Sequence, residues 1–403
     1  MKILLLAYAC EPNRGSEPGV GWQWAINLAR DRTKEVHVLT RSNNQDVINS
    51  YWKGTCPQNL IFHYYDLPKI IVWAKHHGMP VNIYYILWLF GSSRYAYKLQ
   101  EGVKFDLAHH ITFGVFRDAS LLYKLKIPYI IGPVGGGEMT PEKLLCLFSK
   151  RQRIKEYIRY LANIISLRNP YLIKSFNNAS LILAKTEDTK TFLCKWKDKV
   201  IVNLEIGINS VSDSIVDSAE DTFLFVGRFT YWKGVKLVLL AFSKYIIKHP
   251  KAKLIFIGKG EMEKDIKDFA SSRNIESNIE IIQWVKQEKL KQYYTKSTAM
   301  LFPSLHDSSG NVVLESLSFG LPVICLNCGG PATILGNTLS ELVVNSDNKH
   351  ISNVVDDIIE KMELLSNDLE RLNTIRFKCL NRAKELLWDK TVSNSYNLIE
   401  GIL

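Results

Sequence analysis

Short apolar, β-branched runs alternate along the chain with stretches whose apolar positions recur every three or four residues. In the second half TFLFVG (222–227) precedes VKLVLLAFSKYIIKH, AKLIFIG (252–258) precedes EMEKDIKDFASS, and IEIIQWV (279–285) precedes QEKLKQYYTKS. AMLFPS (299–304) then leads through LHDSSG and the helix pattern NVVLESLSF to PVICL (322–326). Strands that are apolar at every position are covered on both faces, so this alternation predicts βαβ units around a parallel sheet. The first half has the same grammar with longer insertions: KILLLAY, EVHVLT, DLAHHI, PYIIGPV, ASLILAKT and KVIVNLE read as strands. Small polar residues at 208–221 read as a linker. The expectation is an α/β protein of two doubly wound, Rossmann-like domains facing each other across a cleft. The first spans 1–207 and is joined by a C-terminal helix at 388–403; the second spans 208–387.

A length of 403 residues supports two cores of ordinary size. The seven cysteines are odd in number and scattered through apolar runs, which argues for reduced thiols and against a disulfide framework. Cys325 and Cys328 form a C-x-x-C without a second pair or nearby histidine, so no metal site is expected. The opening MKILLLAYAC reads as a buried first strand rather than a signal, and the other long apolar run, VNIYYILWLFG, is too short to span a bilayer. The net charge of +11 is uneven, +12 over residues 1–205 and −1 over 206–403. One half is therefore expected to meet something anionic.

Ligands of open α/β sheets bind beyond the carboxyl ends of strands, where loops run into helix N-termini. Four loops fit. EPNRGSEPGVGW brings Gly15, Gly19 and Gly21 after the first strand. GRFTYWKG places Arg228 and Lys233 five residues apart at a strand-to-helix turn, a spacing suited to the two phosphoryl groups of a diphosphate. LHDSSGNVVLES offers backbone N–H groups near Ser309, Gly310, Asn311 and Val312, the loop acid Asp307, and Glu315 in the first helical turn. A carboxylate there is placed to accept hydrogen bonds from the vicinal hydroxyls of a ribose. In DLAHHITFG, His109 and His110 end a strand and point to opposite faces, with His110 favoured for the cleft. No G-x-G-x-x-G follows the first strand, which disfavours a nicotinamide enzyme.

FVGRFTYWKG, LIFIGKGEMEKDI and FPSLHDSSGNVVLESLSFGLPVI, together with GSEPGVGWQWAINLAR and FDLAHHIT, resemble the family 4 retaining glycosyltransferases (glycosyl transferases group 1) of the GT-B fold. The resemblance covers essentially the whole chain. It implies sugar transfer from a nucleotide-diphosphate sugar to a glycan or lipid-linked acceptor in surface polysaccharide assembly, with retention of configuration and no cofactor or metal. It also implies a donor-binding second domain and an acceptor-binding first domain. By position, Arg228 and Lys233 match the diphosphate pair, and Glu315 the ribose acid. Asp307 matches the first acid of an E-x7-E pattern, Gly15 to Gly21 a loop over the donor phosphates, and His109 or His110 a histidine near the donor sugar. Asp stands at 307 where Glu is commoner, and the GG-x-x-E motif has become GGPATIL. A sugar-nucleotide epimerase of the same fold and a catalytically silent partner subunit are the alternatives.

Residues 69–98 and 143–174 mix aromatic and aliphatic residues with basic ones, including Lys143, Lys150, Arg151, Arg153, Lys155, Arg159, Arg168 and Lys174. Amphipathic helices of this composition are expected to rest on an anionic membrane surface. The expected location is cytoplasmic and peripheral on the inner face of the cell membrane, with no nucleic-acid partner.

Overall fold

The computed structural model describes residues 1–52, 54, 56–213 and 221–402. Of the expected linker, residues 214–220 lie outside the described residues. The chain divides into two compact units, one of residues 1–137, 162–206 and 388–403, the other of 138–161 and 207–387. The segment 138–161, assigned from sequence to the first domain, thus belongs to the second.

The strands of the first unit are β1 (Lys2–Leu6), β2 (Glu35–Arg41), β3 (Leu60–Tyr65), β4 (Leu107–His110), β5 (Tyr129–Val134), β6 (Leu181–Ala184) and β7 (Val200–Val202). They form one sheet in the order β3-β2-β1-β4-β5-β6-β7, with every pair parallel. Its helices are α1 (Ser16–Leu28), α2 (Gln45–Trp52), α3 (Lys69–His76) and α4 (Val81–Val103). Next comes α5 (Lys150–Ser166), which crosses the division between units, and then α6 (Pro170–Asn178) and α7 (Glu187–Phe192). β1 and β4 are central and buried along nearly their whole length, β1 through its apolar run and β4 because both of its buried histidines find hydrogen-bond partners. β3, LIFHYY, was not anticipated: it pairs on one side only and is half-buried, so its pattern lacks the uniform apolarity of the central strands.

The second unit has β8 (Thr222–Val226), β9 (Lys253–Ile257), β10 (Ile279–Ile282), β11 (Ala299–Leu301), β12 (Val323–Leu326) and the two-residue β13 (Val343–Val344). They lie in the order β10-β9-β8-β11-β12-β13, again all parallel. Its helices are α8 (Val235–Lys248), α9 (Glu263–Ser272), α10 (Gln287–Lys296), α11 (Asn311–Ser318), α12 (Gly329–Leu335), α13 (Ile351–Ser366) and α14 (Leu369–Glu385). The last helix, α15 (Trp388–Ile402), returns to the first unit, where it packs on α1. Both sheets are doubly wound, the α/β arrangement of Rossmann-like domains.

Candidate functional site

In each sheet the winding direction reverses once, between β1 and β4 and between β8 and β11. At such a point the flanking connections leave on opposite faces and open a crevice beyond the strands' carboxyl ends. In the second unit the two loops bordering it are those that leave β8 and β11, and they carry Arg228 to Lys233 and Asp307 to Gly310. The topology therefore brings together two loops that sequence spacing selected separately.

Arg228 is exposed, whereas Lys233 is largely covered and its ammonium lies 5.0 Å from the centre of the Phe302 ring. Lys233 also forms an ion pair with Asp307. Two residues expected to serve different parts of a donor are thus a single charge pair. The turn can come so close to the β11 loop because Gly234 has φ +78°, and a side chain there would collide with the Pro303 carbonyl. The Asp307 loop is held from the other side by the Gly330 N–H, which donates to the Asp307 carbonyl at 2.6 Å.

Glu315 occupies the second turn of α11, not the first: the helix begins at Asn311, so the acid is its fifth residue. Gly310 caps the helix with φ +87° and has no side chain to bond its first turn, which Asn311 and Val312 open. Burial pushes the Glu315 carboxyl above the usual carboxylate range, against the opposing effect of the Tyr294 hydroxyl, which donates to Oε2 at 3.3 Å. Ser309 is partly buried in the same loop.

One buried acid here escaped the sequence reading. Glu156, on α5, is 5% exposed. It accepts hydrogen bonds from the Tyr231 hydroxyl (3.1 Å), His306 Nε2 (3.1 Å) and Arg159 (2.9 Å). Tyr231 belongs to the Lys233 turn, and His306 adjoins Asp307 and stacks on Trp232 at 5.7 Å. Glu156 therefore ties both switch-point loops to α5. Burial alone would raise its carboxyl, but His306 and Arg159 outweigh that and hold it at about 2. The signal was present, since Glu156 is the only acid among residues 150–168. Arg159, expected on a membrane-facing surface, is committed to this cluster and donates to the Glu138 carbonyl at 2.6 Å. Lys143 likewise donates to the Asn348 carbonyl at 2.7 Å.

In the first unit the glycine loop is shorter than expected. Gly15 is the residue preceding α1, but Gly19 and Gly21 are buried inside that helix. A side chain at Gly19 would collide with the Arg14 carbonyl and one at Gly21 with the Ala9 carbonyl, so these glycines let the helix pack on the preceding loop. His109 is fully buried between the Tyr396 hydroxyl (2.9 Å) and the Gly132 carbonyl (2.8 Å). His110, on the opposite face of β4, meets the Tyr85 hydroxyl at 3.0 Å. Burial pushes both imidazoles down to about 4, so both are neutral near pH 7. Cys325 and Cys328 are buried free thiols, the latter against the Ser304 carbonyl.

Two doubly wound parallel sheets, each the core of a Rossmann-like domain, define an α/β protein of GT-B fold. The chain matches, over residues 211–372, the family model for glycosyl transferases group 1. It is 28% identical to an uncharacterised glycosyltransferase of Methanocaldococcus jannaschii over 91% of this chain and 90% of that one. A second from the same organism is 25% identical over 61% of this chain, and the match spans 63% of that relative's length. Among solved structures, the lipopolysaccharide outer core galactosyltransferase WaaB superposes with a TM-score of 0.62 at 15% identity, over the full length of both chains. Anabaena HepE, in complex with UDP, superposes with a TM-score of 0.61 at 13% identity, also over both full lengths.

Proposed function

We propose that the protein is a retaining, family 4 glycosyltransferase that moves a sugar from a nucleotide-diphosphate sugar to a glycan or lipid-linked acceptor in bacterial surface polysaccharide assembly. The observation that carries this reading is the convergence of Arg228, the Lys233–Asp307 pair, the α11 N-terminus and Glu315 at one switch point. The neighbour solved with UDP and the galactosyltransferase of lipopolysaccharide outer core lend it support, as does a relative named alpha-monoglucosyldiacylglycerol synthase in Streptococcus pneumoniae, 23% identical over 45% of this chain.

The chemistry follows from charge. As the bond between sugar and diphosphate breaks, negative charge grows on the leaving group, and Arg228, Lys233 and the first turn of α11 are fixed sources of positive potential for it. Glu315 accepts from the ribose hydroxyls, and Asp307, held by Lys233, turns its remaining acceptor capacity toward the sugar. The departing phosphate shelters the positive charge on the sugar and takes the acceptor's proton on the same face, so no enzymatic nucleophile is needed. The experiment is incubation with a panel of nucleotide sugars: slow release of the nucleoside diphosphate is expected. A new sugar nucleotide would instead identify an epimerase, and silence with every donor a non-catalytic subunit.

The expected membrane contact is part of this proposal. Along α5, Ile154, Tyr157, Ile158, Leu161 and Ile165 form an exposed stripe at helical spacing, flanked by exposed Arg151 and Lys155. An anionic leaflet suits both its apolar and its basic residues. Binding to vesicles with anionic lipid, weakened by salt and by Arg151→Glu with Lys155→Glu, is the expected result. Equal recovery on neutral vesicles would refute it.

A further inference from the structure

The first unit holds a depression of about 810 Å³ beyond the carboxyl ends of β2 and β3. Arg41 closes β2, Asp66 follows β3, and one face of α3 supplies Lys69, Val72, Lys75 and His76. Three cations therefore face one carboxylate among the described lining residues. That carboxylate is already heavily engaged: Asp66 pairs with Arg41 at 3.3 Å and accepts from the Tyr84 hydroxyl and the Leu67 N–H.

Arg41 and Lys75 share the same aromatic floor. The guanidinium lies 5.2 Å from the centre of the Tyr8 ring and 5.0 Å from that of Tyr84, and the Lys75 ammonium lies 4.5 Å from the Tyr84 centre. Ring faces hold cations in place without neutralising them. Burial, and then the Arg41 charge, lower the Lys75 pKa, with Asp66 opposing. The buried Arg41 Nε has no hydrogen-bond partner among the described residues. Two cations kept close on an aromatic floor make a receptor for an oxyanion.

The next face of α3 has the opposite character. Ile70 is 75% exposed and Trp73 60%, and both alternate along the helix with the residues that line the depression. Continuing the chain, α4 exposes Ile83, Ile86 and Phe90 while its other face is buried. A cationic recess and an apolar ridge carried by one two-turn helix fit an amphiphile with an anionic head.

We infer that this depression binds the phosphoryl group of a lipid-linked acceptor, with Arg41 and Lys75 on the phosphate and the hydrocarbon lying along Ile70 and Trp73. The inference rests on the glycosyltransferase reading for its biological meaning, but binding tests it without turnover. Calorimetric titration with farnesyl monophosphate below its micellar concentration should give saturable binding, at least tenfold weaker in Lys75→Gln and severalfold weaker in Lys69→Gln and Trp73→Ser. Farnesol should not bind. Inorganic phosphate should bind more weakly and be sensitive to Lys75→Gln but not to Trp73→Ser. Lys69 is exposed, so its variant keeps the test valid should Lys75→Gln misfold. Farnesol binding as well as its phosphate, or isotherms unmoved by both lysine variants, would overturn the site. Inorganic phosphate binding as tightly as the prenyl phosphate would overturn the lipid part and leave a plain anion site. A protein that shows the prenyl phosphate isotherm but binds no nucleoside diphosphate would sink the proposed donor chemistry and leave this pocket standing.

Discussion

Replacing Glu156 by Gln tests whether one buried carboxylate holds the two switch-point loops in register. The side chain is almost fully covered and accepts from Tyr231, His306 and Arg159. Removing one partner of a buried pair costs about 3–5 kcal/mol. Gln keeps the shape and can still accept from Tyr231, and the Arg159 side chain is 22% exposed, so the cost falls below that range, to about 2–3 kcal/mol. A second route gives a similar size: a carboxyl at about 2 in the fold against 4.5 ordinarily is worth on the order of 3 kcal/mol. The sign follows from the depressed pKa. The contribution is complete above the ordinary carboxyl value and is lost as pH falls toward the folded one. Urea unfolding of wild type and Glu156→Gln should therefore show a gap of about 2–3 kcal/mol at pH 7 that narrows by about 1.4 kcal/mol at pH 3.5. The variant should also lose kcat/KM, because His306 adjoins Asp307. A gap below about 0.5 kcal/mol at pH 7, the range of ordinary surface substitutions, or one of equal size at both pH values, would refute the reasoning.

Three further outcomes are expected. Lys233→Ala and Glu315→Ala should each lower kcat/KM by at least about 30-fold, roughly 2 kcal/mol, and a folded variant with wild-type kcat/KM would remove that residue from the donor site. Burial raises the Glu315 pKa, so its stabilising share exists below the ordinary carboxyl value and is lost as pH rises through the folded one; at pH 7 the ionised group opposes folding. Glu315→Gln should then raise the Tm of the unliganded protein while impairing donor binding, and calorimetry showing a lower Tm would contradict this. Activity should persist in excess EDTA if, as proposed, Arg228 and Lys233 supply the positive charge at the diphosphate; abolition with rescue by Mn²⁺ would contradict it.

Much of this protein is written locally. A run such as TFLFV or LAHH, apolar at every position or closed by a pair that can be buried, makes a central parallel strand wherever it falls, and the helical spacing after it makes the connection. The two switch-point loops of the second unit were legible for the same reason, since Arg228, Lys233, Asp307 and Glu315 each sit at a fixed short distance from a strand or helix end. What neighbours in sequence could not decide was which distant groups would share a buried space. Glu156 reaches His306 across 150 residues, Lys233 reaches Asp307 across 74, and Gly21 is needed because its helix packs on Ala9 rather than because a loop must bend. The environments of Glu156, Glu315 and the two histidines belong to the same class. Their protonation is set by burial and by partners brought in from other elements, and desolvation is a property of the packed unit, not of the stretch of chain that carries the residue.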